Sequence, residues 1–523
     1  MSDFLIHHAI SRWAERQPAA PALRIQGRAL SYADLDRASN RLAHALLDRG
    51  LEPGDRVGIF MHKGLELGVA LYGVLKAGGV FVPLDPFLPA ARLEAMIQDC
   101  GIRHLVASEG VAATLMQLPE GSRPRVYGLT PRDGLETMDW EAVGGFRDSA
   151  PPERLIDLDL GYIMYTSGST GRPKGMMHTH RGSLTSARWG AAHVGLGPED
   201  RVASHAPLHF DLSIFDFFST AQAGGTVVLV PEGVTRFPAS FTTYVETEEI
   251  NVIFTVPFTL IEMLERGAME QRELSSLRWI LFGGEPFPPG QLRTLMQRLP
   301  GVRFTNVYGP AEAPSCTCYD VPPLSVDDDT PIPIGTMSRN SQGLILGQDD
   351  QECGPGEPGE LCVRSSTLTR GYWNRPELNA RVFLRLPSEG PLPHIYYRTG
   401  DMVSRGEDGL LHFHGRKDRM VKTRGHRVEL DEIEAALGLH PEVSEAAAYT
   451  VPDDRGSKAI LATVALRPDA KADAAALIRH LRNHLPAYAL PREIAVAADL
   501  PRTSSGKIDR TRLQSHDAAA GSP

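Results

Sequence analysis

Helical and extended patterns of apolar residues alternate along the first hundred positions of the chain. Between Ser31 and residue 49, apolar side chains recur three or four positions apart, at Leu35, Ala38, Leu42 and Ala45. This spacing predicts an amphipathic helix, and the Ser31 hydroxyl can cap its first turn. Short apolar runs at 56–61 and 78–84 predict buried strands on either side of a second helix, at about 64–76. Such alternation is typical of a mostly parallel sheet covered by helices.

The pattern changes after about residue 340. Glycine and proline become dense around 353–359, and the apolar runs become shorter. Beyond the polar junction at 415–418, the alternation predicts a small α+β unit with helices near 431–437 and 474–484. We therefore expect an α/β protein with a large multi-sheet N-terminal domain, residues 1–417, and a small α+β C-terminal lid, residues 418–523.

Composition and charge exclude several classes of protein. The 523 residues are 42% hydrophobic and 23% charged, which is typical of a globular chain. Because 54 Lys and Arg face 64 Asp and Glu, the formal net charge is −10, and non-specific nucleic-acid binding is not expected. Residues 418–523 contain 15 residues of each sign, so the acidic excess lies in residues 1–417. Five cysteines and no long apolar segment predict a cytoplasmic protein without membrane contact.

A glycine- and hydroxyl-rich loop at 165–175, with the sequence YTSGSTGRPKG, carries the clearest chemical signal. Small residues allow backbone N–H groups to approach an anion closely, and Lys174 adds a positive charge at the end of the loop. The loop therefore favours a polyphosphate ligand. A flexible turn is the alternative, and the Walker pattern, in which Ser or Thr directly follows Gly-Lys, is absent.

With this loop, six further segments in fixed order resemble the adenylate-forming superfamily, which comprises acyl-CoA synthetases, luciferases and the adenylation domains of nonribosomal peptide synthetases. The resemblance covers nearly the whole chain. Its segments are LKAGGVFVPLD at 75–85, HFDLS at 209–213, NVYGPAE at 306–312, YRTGD at 397–401, GRKD at 415–418 and PRTSSGK at 501–507.

The resemblance implies a two-step reaction. A carboxylate first attacks ATP in the presence of Mg²⁺ to give an acyl adenylate and pyrophosphate, and a thiol then displaces AMP. Lys507 is the implied catalytic lysine, Glu312 and Thr166 the implied magnesium ligands, and Lys174 and His209 further catalytic groups. The implied nucleotide-binding residues are Thr166, Ser167, Gly168, Ser169, Thr170, Gly171, Lys174, Gly284, Glu285, Asn306, Tyr308, Gly309, Asp401 and Arg416.

Within this nucleotide set, the resemblance places Tyr308 along the adenine face and Asn306 near the adenine edge. Asp401 and Arg416 are expected on the ribose side. Ala311 departs from the family pattern, which usually has Thr at this position, so one hydroxyl near the phosphates is missing.

Asp211 decides the expected substrate class. In amino-acid-activating members of the family, an Asp at this position pairs with the substrate ammonium, which is costly to bury without a counter-charge. The alternative is a helix cap for a helix that starts near Leu212. The implied substrate pocket is mostly apolar and uncharged, which favours a small or medium α- or β-amino acid; its residues are Asp211, Leu212, Phe215, Thr255, Leu281, Gly283, Val307, Ser315, Cys316 and Lys507.

The C-terminal part is expected to move and to meet a second partner. Asp418 matches the family's hinge, and Lys422 and Gly425 lie on the thioester-forming side. The basic cluster Arg419, Lys422, Arg424 and Arg427 is either a dock for an acidic partner or a solvated junction. Because 16 residues follow Lys507, we expect a stand-alone enzyme of nonribosomal peptide or antibiotic biosynthesis that loads a separate holo carrier protein. The alternatives are an acyl- or aryl-CoA ligase and a non-catalytic nucleotide-binding relative.

Two weaker patterns predict no site. Cys316 and Cys318 have no second close pair, so small packing groups are expected rather than a zinc site. His178 and His180 follow the glycine-rich loop and are expected to be surface groups.

Overall fold

The computed structural model describes residues 3–168, 173–453, 458–502 and 508–520. The chain forms two compact units, each built from separate segments. Unit 1 comprises Met1–Pro86, Ile97–Tyr165 and Gly175–Lys417. Unit 2 comprises Phe87–Met96, Thr166–Lys174 and Asp418–Pro523. Two short segments of the expected N-terminal domain, including most of the glycine-rich loop, thus cluster with the C-terminal segment.

The first predicted helix forms at Tyr32–Asp48, and Ser31 caps it by accepting a hydrogen bond from the Asp34 backbone N–H at 3.1 Å. A second helix, Leu65–Lys76, begins after Gly64. None of the helices in the described part of the chain is both long and apolar enough to cross a membrane. Further α-helices before the C-terminal part are His8–Arg16, Ala90–Cys100, Ala112–Met116, Trp140–Gly144, His180–Val194, Thr220–Ala223, Glu232–Thr235, Pro238–Thr247, Pro257–Arg266, Pro289–Arg298 and Pro376–Val382.

Two large sheets contain the strands predicted from the apolar runs. The first has seven strands, and those from Thr137–Met138 to Val80–Leu84 run parallel. In spatial order its strands are Thr137–Met138, Arg125–Tyr127, His104–Ala107, Arg56–Phe60, Val80–Leu84, Leu160–Thr166 and Lys174–Thr179.

The second large sheet has nine strands and positions the candidate site. Its six central strands are parallel, so their carboxyl ends share one edge, where α/β proteins usually bind ligands. Antiparallel strands flank them at both ends. In spatial order the strands are Thr336–Met337, Thr317–Asp320, Arg303–Tyr308, Trp279–Phe282, Val252–Thr255, Arg201–Ser204, Thr226–Leu229, Pro21–Ile25 and Arg28–Ser31.

The later part of the chain forms smaller sheets. In unit 1 a five-stranded antiparallel sheet comprises Ser341–Leu346, Gly359–Ser365, His394–Arg405, Phe383–Leu386 and Leu411–Arg416. Unit 2 is α+β. Its strands are Met420–Thr423, His426–Glu429, Val443–Pro452, Lys458–Leu466 and Glu493–Ala497, and its helices are Leu430–Gly438, Ala474–Leu481 and Arg510–Ala520. The α/β fold with a smaller α+β C-terminal part is as predicted.

The expectation for the two histidines after the glycine-rich loop is wrong. His178 is 3% exposed and His180 is fully buried. His178 lies in the strand Lys174–Thr179, where the two-residue period puts it on the same face as buried Met176. Its ring stacks on Tyr162 with the centroids 4.7 Å apart. The five cysteines are free thiols, of which Cys100, Cys316 and Cys362 are buried.

Candidate active site

The carboxyl ends of three parallel strands bring several predicted site residues to one edge of the nine-stranded sheet. Thr255 and Tyr308 end their strands, and Gly283 directly follows a third. A side chain at Gly283 would approach the Val307 carbonyl oxygen to 2.2 Å, so only glycine fits there. Gly284 has a φ of +92°, which favours glycine, and its successor Glu285 accepts a hydrogen bond from the Phe258 backbone at 3.1 Å.

An apolar cluster adjoins this edge and contains four of the predicted pocket residues: Leu212, Phe215, Leu281 and Val307. It is completed by side chains such as Phe254 and Trp279. Cys316 packs instead in a different cluster, together with Tyr308. Its neighbour Ser315 has a φ of 53°, and the Ser315 carbonyl accepts a hydrogen bond from Ser338. The structure therefore assembles the aliphatic and aromatic pocket residues but not Cys316 with them.

Asp211 stands immediately before the short helix Leu212–Ile214. In the described part of the chain its side chain makes no capping hydrogen bond, so the helix-cap interpretation is wrong. The side chain that bonds to the backbone here is Ser213, whose hydroxyl donates to the carbonyls of Leu208 and Phe210. The Asp211 carboxylate is consequently not committed to holding the helix start.

His209 lies two residues before Asp211. Its Nε2 is 3.9 Å from the Asp85 carboxylate. Burial lowers the pKa of His209, although Asp85 acts in the opposite direction. The imidazole is therefore neutral at physiological pH and can accept or donate a proton in a hydrogen bond.

On the predicted nucleotide side, Asp401 is 1% exposed and held by Tyr308, which belongs to another sheet, and by Arg416, which lies on the neighbouring strand. The Tyr308 hydroxyl donates to its Oδ2 at 2.6 Å, and Arg416 donates to its Oδ1. Arg416 also donates to the Thr399 carbonyl at 3.1 Å. The Asn306 amide donates to the Pro333 carbonyl at 2.8 Å. The bonds from Tyr308 and Arg416 fix the orientation of the Asp401 carboxylate without using all of its acceptor capacity.

The turn after Tyr308 is tightly packed. A side chain at Gly309 would come within 2.5 Å of the Ser315 backbone nitrogen. Three residues later, Glu312 is fully buried and accepts a hydrogen bond from the Tyr372 hydroxyl. The Tyr372 and Tyr397 hydroxyls are 3.2 Å apart. Burial lowers the pKa of nearby His178 to about 4, while the Glu312 charge acts in the opposite direction. Glu312 thus sits among tyrosine hydroxyls and a neutral imidazole.

In unit 2, the described ends of the glycine-rich loop contact the C-terminal segment of the same unit. Ser167 Oγ donates to the Arg427 carbonyl at 2.9 Å, and Lys174 Nζ donates to Glu429 Oε1 at 3.3 Å. Thr166 Oγ1 is buried and has no hydrogen-bond partner in the part of the chain that the structure describes. Gly168 follows Ser167 in the loop. The remaining predicted positions, Ser169, Thr170, Gly171 and Lys507, lie outside the described residues.

The predicted hinge begins unit 2. Asp418 Oδ1 accepts a hydrogen bond from the Met420 backbone at 3.3 Å. Lys422 lies in the first strand of the hairpin that follows. Arg424 and Gly425 form its two-residue turn with φ values of 50° and 78°, a conformation typical of tight hairpins.

The basic cluster around this hairpin is partly neutralised. Arg419 pairs with Asp431 and, at 2.8 Å, with Glu434. Arg427 lies 3.9 Å from Glu429. Of these arginines, Arg424 is the one whose residue is exposed at the hairpin tip.

Sequence reasoning missed a polar group behind the pocket, formed by Lys63, His205 and Asp216. Lys63 Nζ donates to the Ser204 and His205 carbonyls at 2.6 and 2.7 Å. His205 Nδ1 is 3.1 Å from Thr255 Oγ1, and burial lowers the His205 pKa to about 3. Asp216 is fully buried, which raises its pKa. One signal was present: Asp216 interrupts an apolar run at 214–218.

Comparison with known proteins places this chain among related enzymes. A family model described as AMP-binding enzyme matches residues 10–373, and one described as AMP-binding enzyme C-terminal domain matches residues 432–507. An L-proline--[L-prolyl-carrier protein] ligase of Pseudomonas fluorescens is 34% identical over 97% of this chain and 98% of its own length. Surfactin synthase subunit 1 of Bacillus subtilis is 34% identical over all of this chain, which spans 14% of that much longer protein.

A solved structure shows a similar fold. The amide bond synthetase McbA from Marinactinospora thermotolerans superposes with a TM-score of 0.86 over 98% of this chain and 99% of its own, with 26% sequence identity. The similarity therefore extends over both the large sheets and the C-terminal part of the chain.

Proposed function

Because the chain belongs to the AMP-binding enzyme family, whose members use ATP, we propose that it is an amino-acid–[carrier protein] ligase. It activates an amino acid as aminoacyl-AMP and transfers it to the phosphopantetheine thiol of a separate carrier protein, releasing pyrophosphate and then AMP. The observation that carries this proposal is Asp211, a carboxylate beside the apolar cluster that makes no helix cap. A substrate ammonium needs such a counter-charge when it leaves water.

We assign the ATP contacts from the residues of each unit. Asp401, oriented by Tyr308 and Arg416, accepts the ribose hydroxyls. Asn306 and Tyr308 adjoin the adenine. Lys174 binds the phosphates at the end of the glycine-rich loop, which presents backbone N–H groups to them.

Glu312 and Thr166 offer a carboxylate and a hydroxyl oxygen, and hard oxygen ligands suit Mg²⁺. The buried and unpartnered hydroxyl of Thr166 is consistent with a ligand at that position. When bound, Mg²⁺ neutralises phosphate charge. In the same reaction Lys507 bridges the attacking carboxylate and the α-phosphate, and His209 orients the carboxylate.

The second half-reaction requires different groups at the same adenylate. We propose that Asp418 is the hinge and that Lys422 and Gly425 then face the thiol arm. The hairpin formed by Met420–Thr423 and His426–Glu429 is the element of unit 2 that carries both residues.

L-Proline is the first substrate to test, since a full-length relative carries that name. The apolar cluster that contains Leu212, Phe215, Leu281 and Val307 accommodates an aliphatic side chain and offers a charged side chain no partner. A small or medium uncharged amino acid follows from this chemistry.

The decisive experiment is ATP–pyrophosphate exchange across a panel of L-proline, glycine, alanine, serine, threonine, β-alanine and matched acids that lack the amine. We expect exchange with one or a few amino acids, and transfer of that amino acid to a holo carrier protein in preference to CoA. Exchange driven by an amine-free acid, with turnover on CoA, would indicate an acyl- or aryl-CoA ligase. Nucleotide binding without exchange on any acid would indicate a non-catalytic relative.

A further inference from the structure

The loop of residues 205–211 connects the end of the strand Arg201–Ser204 to the short helix at Leu212. It carries His209 and Asp211, which the proposed function assigns to the substrate carboxylate and ammonium. A loop of this length has many conformations in isolation, and each fixed residue costs conformational entropy. The substrate groups can therefore meet their partners only if something holds the loop.

Lys63 holds the beginning of the loop. Its amine donates to the carbonyls of Ser204 and His205 at 2.6 and 2.7 Å. The Ser204 carbonyl also accepts from the Val230 backbone at 3.2 Å, and the His205 carbonyl lies where the parallel ladder has ended. Lys63 itself is anchored, because its backbone N–H donates to Glu232 Oε1 at 2.9 Å. The lysine thus ties the chain after the strand Arg56–Phe60 of the seven-stranded sheet to a strand end of the nine-stranded sheet.

Ser213 holds the other end. Its hydroxyl contacts the Leu208 carbonyl at 2.9 Å and the Phe210 carbonyl at 2.6 Å. Ser213 is 1% exposed, so these contacts are shielded from water. Two side chains therefore fix four carbonyls of the segment that leads into and through the loop.

Two acids partly offset the cost of burying the charged amine of Lys63. Burial lowers the pKa of Lys63 to about 8, while Asp216 and Glu232 act to raise it. Asp216 belongs to a π-helical turn, Phe215–Ser219, a rare local geometry that is frequent at functional sites. The same turn presents Phe215 to the apolar pocket cluster and Asp216 to the interior.

We propose that Lys63 is a positioning residue for amino-acid recognition: through the Ser204 and His205 carbonyls it holds the 205–211 loop so that Asp211 and His209 meet the substrate. This inference rests on the proposed function. Lys63 does not contact the substrate itself. It acts on the affinity for the amino acid and leaves the nucleotide contacts around Asp401, Tyr308 and Arg416 unchanged.

The test compares Lys63→Met with a matched control, Lys76→Met. Lys76 is another lysine of unit 1 whose amine is held by several acceptors: it donates to the Asp36 carbonyl, the Asp36 carboxylate and the Asn40 side chain at 2.7–3.0 Å. Both variants remove a charged donor from its hydrogen-bond acceptors and keep the apolar stem. Steady-state exchange gives the KM for the best amino acid and for ATP, and thermal unfolding gives Tm.

Lys63→Met is expected to raise the amino-acid KM about 10- to 100-fold, the size of a lost charged hydrogen-bonding group, with the ATP KM within about twofold of the parent. Lys63→Arg, which keeps charge and donors, recovers part of that loss. Lys76→Met lowers Tm with an unchanged amino-acid KM. Equal shifts of both KM values in Lys63→Met, or a Tm loss with an unchanged amino-acid KM, would overturn the inference.

If Lys63→Met does not fold, Ser213→Ala still tests the inference, because it releases the other end of the loop. It is expected to raise the amino-acid KM about 3- to 10-fold. An unchanged amino-acid KM in a folded Ser213→Ala would count against a loop that must be held. Failure of the proposed function is separate, because the parent enzyme itself would then show no amino-acid-dependent exchange.

Discussion

Carboxylates at the candidate site of unit 1 and carboxylates in unit 2 are held by different kinds of partner. In unit 1, Glu312 accepts from a tyrosine hydroxyl, and Asp401 accepts from a tyrosine hydroxyl and one arginine. In unit 2 the acids pair with cations, as in Lys174 with Glu429 and Arg92 with Glu432.

The difference separates two uses of charge. A carboxylate oriented by a neutral hydroxyl keeps most of its charge available for a ligand cation or hydroxyl. A carboxylate that neutralises a partly buried arginine mainly prevents an unpaired charge in the interior. Glu312, held by a hydroxyl, is thus suited to binding a cation, whereas Asp401 and the paired acids of unit 2 also neutralise a cationic side chain.

The largest expected effect comes from Lys507, the residue of unit 2 to which we assign the bridge between the attacking carboxylate and the α-phosphate. Lys507→Ala should reduce the rate of amino-acid-dependent exchange about 100- to 1,000-fold, because a cation aimed at transition-state charge contributes about 3–4 kcal/mol. Transfer from supplied aminoacyl-AMP to the carrier should change far less. Exposed Lys471 of the same unit, as Lys471→Ala, is the control. Equal losses in both half-reactions would assign Lys507 a different role.

Asp211→Asn tests whether the carboxylate of unit 1 serves a ligand. Removing one partner of a desolvated charge pair costs about 3 kcal/mol, so the amino-acid KM should rise about 100-fold while the ATP KM stays close to that of the parent. Asp157→Asn, which breaks an exposed pair with Arg181 in the same unit, should change neither KM. A drop in Tm with normal kinetics in Asp211→Asn would make this carboxylate structural, as in unit 2.

Glu434→Gln tests the structural use of charge in unit 2. Glu434 accepts hydrogen bonds from Arg419, Arg510 and the Ala448 backbone. Burial raises the pKa of Glu434, but these donors outweigh burial and hold the pKa below its ordinary value. The variant should lower the free energy of unfolding by about 2 kcal/mol at pH 7, measured by urea denaturation.

The same variant has a defined pH dependence. A carboxyl with a depressed pKa contributes stability above its ordinary pKa of about 4.3, and that contribution disappears as the pH falls through the folded-state value. The difference between parent and Glu434→Gln should therefore shrink in acid. Exposed Glu493, as Glu493→Gln, should show little difference at either pH. A pH-independent gap between parent and Glu434→Gln would mean that packing, not charge, is lost.

The smallest effect is expected at the exposed hairpin tip of unit 2. If an acidic carrier approaches Arg424, Arg424→Glu should slow carrier loading a few-fold at low salt, and the gap should close toward 1 M salt, where the Debye length is about 3 Å. The less exposed Arg427, as Arg427→Glu, should also lower stability because of its proximity to Glu429. Arg467→Glu, on the same unit, is the control. If Arg424→Glu loads the carrier as fast as the parent does at low salt, the carrier does not approach this surface.

The sequence pattern was sufficient for elements whose stability is local. The helix Tyr32–Asp48 and its Ser31 cap follow from apolar spacing and a hydroxyl at the right position. The strands Arg56–Phe60 and Val80–Leu84 follow from short apolar runs between turn residues. The pattern failed for His178, because one polar residue in a strand does not reveal which face the sheet will bury.

For the candidate site, the ordered motifs indicated which residues to consider but not their partners. They named Tyr308, Asp401 and Arg416, yet they did not reveal that the Tyr308–Asp401 hydrogen bond joins strands of two different sheets. The motifs also grouped Cys316 with the pocket, whereas the structure packs it in another cluster. They contained no indication of Lys63, which acts on strand ends of a different sheet.

The sequence by itself determined the family, the α/β fold class and the positions at which chemistry is expected, because spacing and ordered motifs are properties of the chain. Tertiary structure alone decided which charges are paired and which carbonyls Lys63 holds. Burial and hydrogen bonding depend on distances between segments that are remote in sequence, and local spacing does not encode those distances. The identity of each chemical group can be read from the sequence around it, whereas its electrostatic environment depends on the folded structure.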